Sequence, residues 1–265
     1  MNSIEAIILG LVQGLTEFLP VSSSGHLAIA KALFGIETSD LSFELTVHAA
    51  TVLATIVVFR AQILQLLGGL FKFKYNQETR YVLMIALSMI PVFIVGVFFK
   101  DYVEALFGSG LLPVAAALVL TAMLLLFAER NGDSPQKELS YKSSFWMGVA
   151  QACAVIPGLS RSGSTIAAGL LCGVKKEQVA QFSFLMVLVP ILGEAFLEVV
   201  GGEFTSSSVA ALPLALGFIS AFLSGLFACK VMIAMVRKAK LKWFALYCCV
   251  ASLACVIIEV CKNAL

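Results

Sequence analysis

Polar and apolar positions are distributed unevenly along this chain. Six stretches are almost continuously apolar: residues 45–59, 82–99, 111–128, 182–200, 209–229 and 243–261. Only Glu194, Glu198 and Glu259 carry charge within them. A helix of about 20 mostly apolar residues crosses the hydrocarbon core of a bilayer. Five stretches therefore read as spanning helices as they stand, and the first does so by extending past Phe59. Strands of a transmembrane barrel alternate apolar and polar residues in segments of ~10, and these runs do not. Two more segments, about 4–36 and 145–174, are apolar at both ends but interrupted by Pro20 and Pro157, each followed by a serine cluster.

Composition agrees with a membrane protein. The 265 residues are 60% hydrophobic and 13% charged, against roughly 45–50% and 25% in soluble domains. That excludes a soluble globular enzyme, a disordered chain and a disulfide scaffold. A net charge of +2 is too small for a nucleic-acid surface. No Lys or Arg precedes Lys31, so the first apolar segment is not expected to be a signal peptide. The cysteines number seven and show no metal spacing; they are expected to be buried small hydrophobes.

Position adds orientation, because basic residues collect in cytoplasmic loops. Four groups hold most of them: Arg60, Lys72, Lys74 and Arg80; Arg130, Lys137 and Lys142; Lys175 and Lys176; and Lys230, Arg237, Lys238, Lys240 and Lys242. All four fall on one side only if segment 145–174 enters and leaves on that side, as a re-entrant hairpin from inside. The first span then starts outside, and segment 4–36 becomes a second hairpin from outside.

The two hairpins resemble each other. An offset of 138 pairs Gly10 with Gly148, Gln13 with Gln151, Ser22 with Ser160, Ser24 with Ser162, Gly25 with Gly163 and Gly35 with Gly173. Three spans separate them, so the second copy is inverted. The fold expected is all-α and integral to the membrane: six transmembrane helices plus two re-entrant hairpins, in one domain of two inverted repeats, approximately 1–110 and 111–265. Such repeats place broken helices and a binding site near the midplane. At each break the proline stops one helix and serines cap the next. Two helix N-termini meeting there favour an anion, above all a phosphate.

Few polar residues reach that depth. Arg161 sits inside the second break, where a guanidinium suits two phosphate oxygens; the plain alternative is an ion pair with Glu17. Gln13 and Glu17, four apart, share a helix face. Glu17 beside an anion site suggests a bound divalent cation, a base, or the counter-ion of Arg161. Ser23 and His26, three apart, suggest a nucleophile with a proton-handling partner, although N-cap serines are common. His48 reads as a packing residue outside the site. Glu198 reads as a rim residue and Glu194 as a deeper one. Gly10 and Gly14 fit close helix packing.

The run Gln13-Gly14-Leu15-Thr16-Glu17-Phe18-Leu19-Pro20-Val21-Ser22-Ser23-Ser24-Gly25-His26 resembles the first motif of the undecaprenyl-diphosphate phosphatases of the bacitracin-resistance type. The run Pro157-Gly158-Leu159-Ser160-Arg161-Ser162-Gly163-Ser164-Thr165 resembles their second. The resemblance covers essentially the whole chain. It implies a multi-pass enzyme of the bacterial inner membrane, and the entry of the first hairpin from outside favours a site open to the periplasm. The enzyme would remove the terminal phosphate of undecaprenyl diphosphate, with Mg²⁺ or Ca²⁺. Ser23, His26, Glu17 and Arg161 take the catalytic positions, Glu17 also that of metal ligand. Gln13 stands where the family has glutamate or glutamine and would bind through its amide. Substrate contacts are expected from Gln13, Ser22, Ser24, Gly158, Ser160, Ser162 and Thr165. The partners implied are the prenyl diphosphate lipid and the bilayer, with no nucleic acid; a homodimer is compatible with the sequence. The rival class is a transporter or flippase for a lipid phosphate or other anion, which needs the anion cradle but not a nucleophile with a proton shuttle.

Overall fold

Where the hydropathy runs, the chain is helical. The computed structural model describes residues 1–36, 42–99, 102, 110–131, 137–201, 209–237 and 241–264, without the side chains of 131, 194–201, 236, 237, 263 and 264. Ten helices lie in these residues: α1 (Ser3–Phe18), α2 (Ser23–Phe34), α3 (Ser42–Leu70), α4 (Gln77–Phe98), α5 (Leu111–Asn131), α6 (Tyr141–Cys153), α7 (Arg161–Leu171), α8 (Lys176–Gly201), α9 (Ala211–Arg237) and α10 (Leu241–Ala264). The helices α3, α4, α5, α9 and α10 are long and apolar enough to cross a membrane. The chain is thus an all-helical, multi-pass membrane protein. The first span runs well past Phe59, to Leu70. The remaining expected span, 182–200, falls in α8, whose last side chains, Glu194 and Glu198 included, lie outside the described residues. So do Lys100, Lys238, Lys240 and the connection 202–208.

Both interrupted segments are pairs of helices, and local chemistry sets their limits. Asn2 and Glu5 form a capping box at the start of α1. Pro20 pushes Leu19 into an extended conformation (φ −74°, ψ 145°), ending the helix. Ser22 caps α2, its Oγ accepting from the Gly25 amide at 3.2 Å; Gly35, at φ 63°, closes it in the left-handed conformation. In the second pair, Ser140 and Ser143 form a capping box that starts α6 at Tyr141, four residues earlier than hydropathy indicates. Ser160 caps α7 by accepting from the Gly163 amide at 3.1 Å. The two caps are counterparts at the offset of 138.

The ends of the second pair meet. Lys137 and Val174 form a parallel bridge, with the Lys137 amide 2.7 Å from the Gly173 carbonyl. Hydrogen bonds from Lys175 and Gln178 tie Glu138 to the same corner and hold its exposed carboxyl below the usual carboxylate range.

Each broken pair packs against a helix distant in sequence: α1 lies along α9, and α6 along α4. Close approach depends on small residues. A Cβ at Gly14 would stand 2.4 Å from the Ala221 carbonyl oxygen and 2.8 Å from the Gly225 amide, and one at Gly148 would stand 2.3 Å from the Ser88 carbonyl oxygen. Gly14→Val must therefore force α1 off α9. A stability loss of about 3 kcal/mol is expected, read as a lower unfolding temperature in detergent; an unchanged temperature would show that this contact is not tight.

The seven cysteines are free. Cys229, Cys248 and Cys255 are buried as expected, but Cys153, Cys249 and Cys261 are exposed. Apolarity alone does not fix burial in a chain whose outer helix faces are also apolar.

Candidate active site

The charge at the two breaks converges. Glu17, in the last turn of α1, has a side chain only 5% exposed. One carboxylate oxygen, Oε1, accepts from Nη2 of Arg161, the first residue of α7. The other, Oε2, accepts from Gln13 Nε2 at 2.9 Å and from Ser23 Oγ at 2.6 Å. The breaks also hold each other directly. The Gly158 amide donates to Ser24 Oγ at 3.4 Å, and Ser162 Oγ donates to the Leu19 carbonyl at 3.0 Å. Gly158 sits at φ 87°, and a Cβ there would lie 2.7 Å from the Val114 carbonyl oxygen on α5. Only glycine suits both constraints.

The expected residues divide into groups. Glu17, Ser23, Gln13 and Arg161 form one hydrogen-bonded cluster. Ser22 and Ser160 serve as caps, while Ser24, Ser162 and Gly158 lock one break to the other. Thr165 is buried, its Oγ1 bonded to the Arg161 carbonyl at 2.9 Å and to Ser183 Oγ at 2.6 Å. That ties the first turn of α7 to α8. His26 lies apart from Ser23's hydroxyl. Its Nδ1 is 2.7 Å from the Ser22 carbonyl and its Nε2 is 2.8 Å from the Tyr247 hydroxyl on α10. The group touching the Ser23 hydroxyl is therefore a carboxylate, the arrangement of nucleophile and base.

His48 corrects an expectation. The sequence places it outside the site as a packing residue, yet its Nε2 is 3.8 Å from Glu17 Oε2. Its Nδ1 is 2.8 Å from the Glu44 carbonyl one turn back; a carbonyl only accepts, so Nδ1 carries hydrogen and Nε2 turns to Glu17. Thr51 and Thr55 follow on the same face of α3. Together with Ser183, Arg161 and Glu17 they line a small cavity, which continues between α3 and α8 along Val52, Val187, Leu188 and Ile191. Polar residues spaced 48, 51 and 55 in an otherwise apolar span are a helical stripe, and that signal marks His48 in the sequence.

Among the described residues, no three His, Cys, Asp or Glu side chains gather to hold a metal. The cluster does offer oxygen. Gln13 is fully buried, and its Oε1 has no hydrogen-bond partner. A buried acceptor left open costs about 1–3 kcal/mol, so it marks a place for a cation or a donor. With the Glu17 carboxylate it supplies two hard ligands. That fits an ion whose other ligands are phosphate oxygens and water, as Mg²⁺ prefers.

The family model described as "Bacitracin resistance protein BacA" matches residues 6–254. A protein of Bacteroides thetaiotaomicron named undecaprenyl-diphosphatase is 56% identical over 263 residues, covering 98% of this chain and 100% of that one. One of the same name from Parabacteroides distasonis is 57% identical over 266 residues, covering 98% and 100%. A more distant one, from Carboxydothermus hydrogenoformans, is 37% identical over 264 residues, covering 98% of both. With the match spanning nearly its whole length, the chain belongs to the BacA bacitracin-resistance family.

Proposed function

We propose that this chain hydrolyses undecaprenyl diphosphate to undecaprenyl phosphate and orthophosphate. That activity recycles the carrier lipid for peptidoglycan synthesis and confers bacitracin resistance. The observation that carries the reading is the Ser23 hydroxyl 2.6 Å from the buried Glu17 carboxylate, with Arg161 from the other break on the same carboxylate. A carrier needs the arginine but has no use for the serine–carboxylate pair.

The architecture proposed is six crossings with two re-entrant hairpins, α1–α2 and α6–α7. The Lys137–Val174 bridge supports the second, since its ends share a side. Inverted halves are supported by the equivalent pairings α1 with α9 and α6 with α4, and α10 with α2 and α5 with α7. We read α5 as the counterpart of α10, with the two halves meeting between α5 and α6. The protein sits in the bacterial inner membrane, with its site open to the periplasm. The lipid tail lies between α3 and α8, where the cavity lining turns apolar.

Chemistry follows from the cluster. At rest Arg161 neutralises Glu17. A terminal phosphate draws the guanidinium into a bidentate grip, and the freed carboxylate becomes a stronger proton acceptor. Ser23 Oγ then attacks the terminal phosphorus and its proton passes to Glu17. The bond from that phosphorus to the bridging oxygen breaks, and its electron pair leaves with undecaprenyl phosphate. Water attacks the phosphoserine and gives its proton to His26 Nε2, orthophosphate leaves, and Ser23 recovers its proton from Glu17. First-turn amides of α2 and α7 stabilise the transferring oxygens. Glu17 and Gln13 Oε1 would hold a divalent cation, which when bound would offset diphosphate charge.

Metal removal tests this. Orthophosphate release by the purified protein is expected to fall to background in EDTA and to return with Mg²⁺ or Ca²⁺. Full activity in EDTA would remove the cation from the scheme.

A further inference from the structure

His26 is fastened at both ring nitrogens, and only one partner comes from its own hairpin. The Ser22 carbonyl, 2.7 Å from Nδ1, can only accept, so Nδ1 carries hydrogen and Nε2 presents its lone pair. That lone pair is filled by the Tyr247 hydroxyl at 2.8 Å. The two rings are parallel within 6°, with centroids 5.4 Å apart. Tyr247 stands on α10 between lipid-facing Leu246 and Val250, 57% and 59% exposed. The neighbouring Cys248 thiol approaches the Pro20 carbonyl at 3.6 Å, and Ser252 Oγ fixes α10 to the Ala115 carbonyl at 2.8 Å. The phenol is thus held by a helix fixed at the break through Cys248 and, independently of the hairpin, to α5 through Ser252.

We propose that Tyr247 is a positioning residue for the phosphatase reaction: its hydroxyl holds the His26 ring in place and keeps Nε2 in its proton-accepting form until the attacking water replaces it. The proposal rests on the reading that His26 handles a proton in turnover. Of the other titratable groups on the elements packed against α2, Glu5 is bonded to Asn2, Glu259 accepts from the Leu111 amide at 3.3 Å, Cys255 is buried, and Cys249 and Cys261 are exposed. Glu17 on α1 is bonded to Arg161, Ser23 and Gln13, Cys248 turns to Pro20, and α5 carries none between residues 111 and 128. Within α2, Lys31 is paired with Glu44.

Tyr247→Phe keeps the stacked ring and removes only the donor. It is expected to lower kcat about tenfold with KM within about twofold, because the lipid phosphate's other contacts are intact. A donor to Nε2 favours the neutral ring, so its loss should move the acid limb of the kcat–pH profile to higher pH. The chain has 2 histidines, so ¹⁵N-histidine NMR can follow His26 beside a His48→Asn assignment control. The parent should show a neutral ring with hydrogen on Nδ1, and Tyr247→Phe a larger charged fraction at the same pH. A Tyr247→Phe protein with parental kcat, pH limb and histidine spectrum would overturn the proposal. His26→Ala separates the two ideas. Parental activity in that variant removes His26's role altogether, whereas an inactive His26→Ala with an unaltered Tyr247→Phe removes only the role of Tyr247.

Discussion

Arg161→Ala is expected to lower orthophosphate release by at least ~10³-fold, the scale on which an arginine stabilises phosphoryl transfer. Two losses combine. The substrate loses its only described cation at the breaks, and Glu17, 5% exposed, is left buried without its counter-ion. Breaking a buried pair by removing one partner costs about 3–5 kcal/mol, so the variant should also unfold at lower temperature. Arg161→Lys separates the two effects. It keeps the charge for Glu17 but loses the two-pronged grip, so it should fold nearly normally and still turn over ~10²-fold slower. Normal turnover in Arg161→Lys would show that a single point charge suffices.

Ser23→Ala has the second largest expected effect. Removing the attacking oxygen while Arg161 and the helix N-termini remain should cost ~10³-fold or more in kcat, with a residue of activity from binding and charge stabilisation. Only one hydrogen bond to Glu17 is lost, and Gln13 and Arg161 still satisfy the carboxylate, so folding should change little. Acid-quenched protein should carry phosphate on Ser23 in the parent and none in the variant. Retention of substantial activity by Ser23→Ala would instead make water, poised on Glu17, the direct attacker.

Much of the site was readable along the chain because charge is so scarce at depth. Glu17 and Arg161 are the charges that fall at the breaks, and residues 144 apart in sequence are hydrogen-bonded in space. The breaks themselves announce their chemistry: Pro20 ends α1, and Ser22 and Ser160 cap the helices that follow, for reasons confined to a few neighbouring residues, although α6 already stops at Cys153, ahead of Pro157. Partner choice was not local and could not be read the same way. The spacing of Ser23 and His26 suggests that they act on each other. Yet Ser23 reaches back across the break to Glu17, and His26 is taken by Tyr247, 221 residues away. His48 looked like a packing residue because one imidazole in an apolar span shows nothing of the helix it faces. Its role emerges only when α3 is laid against the end of α1, although the stripe of Thr51 and Thr55 below it was visible all along. Burial of the cysteines failed for a similar reason. In a bilayer the outside of a helix is as apolar as the inside, so composition does not say which face is which.

The most direct measurement is product stoichiometry from purified protein in closed vesicles containing undecaprenyl diphosphate. The expected result is one orthophosphate released for each undecaprenyl monophosphate formed, stopped by Arg161→Ala and by Ser23→Ala. Movement of intact diphosphate between leaflets with no orthophosphate released would contradict hydrolysis and make the joined breaks the cradle of a carrier.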